Sequence, residues 1–328
     1  MVITHTLSIE GKNVDEKLSG YIENITYTDV ASGASDTLVV TLSNIGGDWL
    51  KSNYPKKGSA VSGAIIVDDS KLPCGEFTVD EIRTNLFPAT MELSATASPL
   101  SESFKVRRRN KNWEKVTIKE IAKEIADRYD LKLKYSGGKI KIKTVEQSNT
   151  DSAFLYNLCE SYGLGMKIYK GKIAIYDYIL LESEKAVCTL DKSDFIDGTI
   201  TDGIYGTYTG ARISYKSASD DTEISVYVGL QSERKKGSRV LRINETCTSQ
   251  AEARLKAAAK VNVANRAGTT LSATILPNTK VCAGVCIFLS SDFGRLSDKY
   301  FIDRVTWDIG DSTTQRIEAH RVAERVEA

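Results

Sequence analysis

The chain has 328 residues, with 44 basic and 43 acidic side chains and 41% hydrophobic residues, which points to a folded protein of two or three domains and excludes a disordered chain. No apolar run approaches the roughly 20 residues that a membrane span needs. The start, MVITHTLSIEGKNV, lacks a basic stretch followed by an apolar core, so synthesis in the cytoplasm without a signal peptide is expected.

Charge is uneven along the chain. Residues 1–100 hold 7 basic and 13 acidic side chains, residues 101–180 hold 17 and 10, and residues 181–328 hold 20 and 20. These shifts coincide with changes in pattern and suggest modules with different partners.

Residues 1–100 read as a twisted antiparallel β-domain. Stretches 21–28 and 37–42 are predicted strands joined by a flexible ASGAS segment. A loop with Trp49 and Leu50 follows, then a turn at 55–58 and strands at 60–67, 77–82 and 91–97. Several strands with short connections favour a barrel or sandwich over a parallel sheet. Pro99 and its serines read as a boundary.

Residues 101–180 change character to α+β, and the pattern reads twice. Thr117 stands three residues before Glu120, the spacing of a capping box, and Ile118, Ile121, Ile125 and Tyr129 follow at helical spacing. The period then falls to two: Leu131, Leu133 and Tyr135, a turn at Gly137 and Gly138, then Ile140 and Ile142, which predicts a hairpin. The second copy opens near Ser148, Asn149 and Thr150 and carries Phe154, Leu155, Leu158 and Tyr162, with Gly163 as C-cap. A second hairpin turns at Lys170 and Gly171. Each helix is expected to cover one hairpin, with Ile121, Ile125, Phe154 and Leu158 buried.

Residues 181–328 return to β-structure. Strands are predicted at 187–190, 195–202, 211–215, 224–228, 240–243, 269–275, 285–289, 300–309 and 314–320. The KSASDD and SERKKGS segments read as loops. A helix near 249–265 opens at Ser249 with Glu252, and its expected stripe is Ala253, Leu255, Ala259 and Val263.

The search for chemistry yields no catalytic, cofactor-binding or metal-binding residue. The chain has no GxGxxG between strand and helix, no GxxxxGK[ST], no HExxH, no GxSxG and no CxxC. Cysteines at 74, 159, 188, 247, 282 and 286 are scattered, and only His5 and His320 could join them on a metal, so free thiols are expected. His320 ends a predicted strand beside acidic neighbours and reads as a surface or packing residue. The pairs Asp68–Asp69 and Asp220–Asp221 sit in polar turns, where adjacent side chains point apart and do not flank one bond. Arg107, Arg108, Arg109 and Lys111 beside Trp113 read as a solvated linker, or as a contact for an acidic protein surface or nucleic acid.

The run from Arg107–Arg109 through Trp113, Thr117–Ile118, Ile125–Ala126 and Leu131–Leu133 resembles the phage late control gene D proteins, the baseplate hubs of contractile tails. Gln147, Asn149, Asp151, Phe154, Leu155, Leu158 and Tyr162–Gly163 match the second block of that family. FTVDEIR, MELSATAS and the GRLSDKYFIDRVTWDIG run resemble its tube-domain ends. Thr306 and Trp307 stand where many relatives carry a histidine. The resemblance covers most of the chain, least at 185–245. It implies a mainly β fold in which two β-barrel-like tube domains, 1–100 and 181–328, flank a two-helix, two-hairpin domain at 101–180.

The resemblance also implies a structural role. Three copies would form a homotrimeric ring that adapts the six-fold tail tube to the three-fold central spike. Partners would be the spike, the tube or a tube-initiator protein, other baseplate proteins and a tape measure protein, without nucleic-acid sequence recognition. The location would be a virion baseplate or a bacteriocin particle. The alternatives are a tail protein that binds or hydrolyses cell wall, and a type VI-like secretion spike component.

Overall fold

The computed structural model describes residues 1–51, 53–97, 102–216, 223–230 and 239–328. The boundary read at Pro99, the Asp220–Asp221 pair with most of its KSASDD segment, and the SERKKGS turn lie outside the described residues. A central helical region is flanked by β-sheet. The strands from both ends of the chain join in one 13-stranded sheet, because Lys299–Ile309 pairs antiparallel with Ile22–Val30. The expected β-rich flanks are present, but the barrel-like closure is not: among the described residues no sheet closes on itself, and the two flanks share one sheet.

The sheet is built from one pairing plan used twice. In the first repeat, Ile22–Val30 pairs with Thr37–Ser43, which pairs with Thr90–Thr96, which pairs with the second half of Ser70–Asn85. The first half of Ser70–Asn85 pairs with Ala60–Val67, and that strand with Ile3–Ile9. In the second repeat, Phe195–Asp202 pairs with Thr269–Ile275, which pairs with Thr314–Arg321, which pairs with Lys299–Ile309. The start of Lys299–Ile309 pairs with Cys286–Leu289, and that strand with Thr189–Leu190. Only this last step differs, being parallel where its counterpart is antiparallel.

Even the irregularities correspond. The bulge between Val79 and Glu81 answers the one between Ile302 and Arg304. The bulge between Ile22 and Asn24 answers the one between Phe195 and Asp197. The sheet curls on itself: the Tyr27 and Phe77 rings lie 6.1 Å apart although two strands separate them in the sheet order. One apolar core runs through both repeats, from Leu7, Leu38 and Met91 to Tyr300, Val305 and Trp307.

The middle region has its own core of Phe104, Trp113, Ile118, Ile121, Ile125, Leu155, Leu158, Ile173 and Ile175. Helix Ile118–Arg128 starts at the predicted capping box on Thr117 and Glu120, and helix Asp151–Ser161 is capped by Thr150. Leu164–Tyr169 and Lys172–Asp177 form the predicted second hairpin.

The first hairpin does not exist. Lys132–Ser136 instead pairs parallel with Lys172–Asp177, and Lys141–Gln147 pairs antiparallel with Lys111–Thr117. Alternation identifies a strand but not its partner. A Cβ at Gly137 would stand 2.8 Å from the Leu164 side chain, so this glycine serves close packing between strands.

A further unit is inserted between Phe195–Asp202 and Thr269–Ile275. Its sheet of Gly210–Lys216, Glu223–Gly229 and Val240–Ile243 packs on helix Gln250–Asn265. The helix buries Ala253, Ala257, Ala258, Ala259 and Val261, whereas Leu255, expected on its buried stripe, is exposed. Ala253 and Ala259 of the expected stripe are buried, and the small alanines let the helix lie close to the sheet. Asn262 clamps Val326 onto the same core through two backbone hydrogen bonds of 2.8 and 2.9 Å.

Candidate functional site

The basic run does not form a free linker. Arg109 Nε lies 2.9 Å from the Asp151 carboxylate, which is fully buried and also accepts from Arg128, Tyr129 and Gln147. Burial alone would raise the Asp151 pKa, but these donors hold it below the usual carboxylate range. The Lys111 ammonium lies 3.7 Å over the Trp113 ring, and Trp113 is a core residue. Arg107 and Arg108 remain exposed.

His5 lies half-buried on Ile3–Ile9. His320 is buried between two acids, with Nδ1 2.8 Å from Asp303 and Nε2 3.4 Å from Glu182. Burial disfavours the imidazolium, yet the two carboxylates win and raise its pKa. Glu182 also pairs with Arg325 and is held down at about 2 against the effect of its burial.

Asp68 sits in an exposed turn and accepts the Val2 amide at 2.8 Å. The six cysteines are free, and burial pushes Cys74 and Cys159 up to about 12. Among the described residues, no group of three or more His, Cys, Asp or Glu side chains could hold a metal, and no helix is long and apolar enough to cross a membrane.

Sequence reasoning missed the joint between the middle region and the sheet. The ASGAS segment, read as flexible, is docked there. Ser32 Oγ accepts from Met166 N at 2.9 Å, Gly33 N donates to Met166 O, and Tyr176 OH donates to Ala31 O. Lys167 reaches from Leu164–Tyr169 to two sheet carboxylates, 2.7 Å from Asp29 and 3.1 Å from Asp36. An aromatic cluster of Tyr176, Tyr178 and Phe301 fills the space beside them. The signal was present as a lone lysine, Lys167, in an otherwise apolar strand.

Sequence reasoning also missed the state of the sheet edges. Among the described residues, Phe195–Asp202 ends the sheet with its outer edge unpaired, and nearly all its side chains are exposed, Ile196 at 58%. Residues 81–85 are also unpaired on one side, because Ala60–Val67 covers only the first half of the long strand Ser70–Asn85. The strand carries no proline in this half. Such edges invite pairing unless they are covered.

The sheet face turned away from the core is rich in hydroxyls, among them Thr26, Thr28, Thr41, Ser94, Thr306 and Ser272. It carries two ion pairs: Arg83 with Glu92 at 3.0 Å and Arg304 with Glu318 at 3.8 Å.

No protein-family model and no curated protein sequence matches the chain. The 43 kDa tail protein of prophage MuSo2 from Shewanella oneidensis has the same fold with a TM-score of 0.72 and 15% identity, over 98% of each chain. A tail protein of Neisseria meningitidis matches equally well, with a TM-score of 0.72 and 13% identity over 98% of this chain and 97% of that one. A type VI secretion component of Escherichia coli, described as similar to the T4 tail proteins gp27 and gp5, matches at 0.59 and 13% identity, over 94% of this chain and 75% of its own. The chain thus has, over nearly its whole length, the fold of structural proteins from phage tails and type VI secretion systems.

Proposed function

We propose that this chain is a baseplate hub of a contractile phage tail or tail-like particle, of the late control gene D kind. Three copies close into a ring that presents six near-equivalent sheet repeats to a six-fold tube and three-fold symmetry to a central spike. The observation that carries this reading is the repeated pairing plan. A chain with two copies of one sheet unit doubles the symmetry of any closed ring it forms. The unpaired edges at Phe195–Asp202 and at residues 81–85 supply the contacts for closure.

The hydroxyl-rich face lines the channel, where ion-paired charges and short polar side chains leave little for a passing chain to adhere to. The role is one of assembly, without a catalytic step. Its partners are the spike, the tail tube or a tube initiator, neighbouring baseplate proteins and a tape measure protein. A second reading, the same ring within a type VI-like spike complex, is favoured by the Escherichia coli likeness.

Native mass spectrometry of the purified chain over a range of concentrations, followed by imaging of the ring, tests the proposal. A closed trimer is expected. A closed ring of six copies would overturn the adaptor role.

A further inference from the structure

The joint inside the chain is a template for the joint between chains. Within one chain, Ile22–Val30 pairs with the second half of Lys299–Ile309, Val30 opposite Arg304 and Ile25 opposite Ile309. Each of these strands has a counterpart in the other repeat. The matching bulges fix the correspondence: Asn24 answers to Asp197, and Arg304 to Glu81. Among the described residues, both counterparts have the relevant edge unpaired.

We infer that the free edge of Phe195–Asp202 pairs antiparallel with residues 81–85 of a second copy, with Thr201 opposite Arg83. This rests on the ring reading above and goes beyond it by fixing strand, direction and register. The hydrogen-bond phase agrees. Gly203 N donates to Gly268 O, so the residues in step with it, Thr201 and Thr199, turn their backbones inward to Thr269–Ile275. Asp202 and Ile200 then offer their N–H and C=O groups outward. Thr201 and Arg83 therefore form a non-hydrogen-bonded pair, the closer of the two kinds.

The side-chain faces agree as well. In the chain's own joint, Trp307 and Tyr27 face the core. The corresponding Thr84 and Ile200 are half-buried and would be covered by the contact, together with Ile82. Thr201 and Arg83 fall on the hydroxyl face, as do Thr28 and Thr306 at the internal joint. A slip by one residue would set the inward side chains of one strand beside the outward side chains of the other and put the two backbone edges out of hydrogen-bonding phase, so the register is well specified.

The test is disulfide trapping in the full-length chain. The double variant Arg83→Cys with Thr201→Cys places two thiols at a spacing suited to a disulfide. Both positions are exposed, so the chain tolerates the changes. Under mild oxidation it should give covalently linked dimers and trimers, at least about fivefold more than Arg83→Cys with Thr199→Cys, which tests a two-residue slip. The wild-type chain, with its own cysteines, sets the background. Equal or stronger linkage in the slipped pair overturns the register. A native trimer in which the Arg83→Cys, Thr201→Cys pair does not link overturns this inference while the ring stands. A chain that forms no closed oligomer at any concentration, and links in neither variant, sinks both.

Discussion

In the first repeat, Ile22–Val30 continues to Thr37–Ser43 through residues 31–36. In the second, the corresponding Phe195–Asp202 reaches Thr269–Ile275 only after residues 203–268, which hold a three-stranded sheet and a helix. The connection is equivalent, and at both places it carries the accessory structure. The short loop binds the middle region through Lys167, Ser32 and Gly33, whereas the long one is itself a folded unit with its own core. Both accessory parts therefore gather at one end of the strands. The other end is bare and exposes Ile45 at 87%, Leu86 at 71% and Phe87 at 96%. A repeated sheet can thus be decorated at one connection without disturbing the pairing that joins the repeats.

The largest test of this comparison sets the closed joint against the open one. Trp307 is fully buried opposite Tyr27, and Thr84 is its counterpart on the free edge. Trp307→Ala should cost about 3–5 kcal/mol, through lost burial and a cavity. Thr84→Ala in the monomeric chain should stay within about 0.5 kcal/mol. Urea midpoints of the two variants give the contrast. Equal losses would mean that the two strand edges are not in different states.

The docked loop comes next. Lys167→Met leaves Asp29 and Asp36 in the joint without their cation, a change expected to cost about 3–5 kcal/mol. The loss should appear as undocking of the middle region from the sheet, read by hydrogen exchange at Gly33 and Met166. The cores of the two parts are separate, so the helices of the middle region should keep their protection.

The history of that loop shows where the sequence was legible. Strands such as Glu223–Gly229 and Thr269–Ile275 announce themselves by alternation between turn residues, and Thr117 with Glu120 announces a helix start. These are local signals, and the structure keeps them. Partner choice is not local. Lys132–Ser136 and Lys141–Gln147 alternate equally well, yet each pairs with a strand elsewhere, and both contribute side chains to the one core of the middle region. The joint residues were illegible for the same reason. Serine and glycine at 31–35 read as a flexible loop until Leu164–Tyr169 is laid against them. Ile3–Ile9 also alternates, with Leu7 buried, and is a strand that the sequence reading did not name.

A smaller test asks whether the two accessory parts are independent. Thr117 caps the first helix of the middle region, and Ser249 caps the helix of the inserted unit through the Glu252 amide at 3.1 Å. Replacing either by alanine should cost about 1 kcal/mol. Thr117→Ala should speed exchange in Ile118–Arg128 alone, and Ser249→Ala in Gln250–Asn265 alone. The two parts touch where the Tyr162 hydroxyl donates to Glu252 at 2.8 Å, so loosening of both helices by either change would show that this contact makes them one cooperative accessory body.

The smallest expected effect is the pH response of the first-repeat connection. Asp29 and Asp36 share the single Lys167 ammonium, and no donor is aligned on Asp36 Oδ2 although Nζ is 3.1 Å away. Tyr27, Cys74 and Cys282 are the other titratable groups close to these acids, and burial raises the pKa of all three, so they stay neutral and add no further negative charge near neutrality. Burial, partly offset by Lys167, pushes the Asp36 carboxyl from 3.8 up to about 6. A carboxyl raised in the folded state favours folding when protonated. Its contribution is complete below about pH 3.8 and is lost as pH rises through 6. Between pH 7.5 and 5.5 the docked state should therefore gain about fourfold, on the order of 0.8 kcal/mol. His320, also raised, adds in the same direction, so the wild-type slope alone does not identify the source. Asp36→Asn removes the Asp36 contribution and keeps that of His320. Exchange at Gly33 and Met166, corrected for intrinsic rate, should lose most of its pH dependence in this variant. In the second repeat, Asp202 corresponds to Asp29 but is exposed and bonded to Thr269 at 2.7 Å, so Asp202→Asn should leave the slope unchanged. A slope that survives Asp36→Asn would assign the response to His320 instead and leave the two connections electrostatically alike.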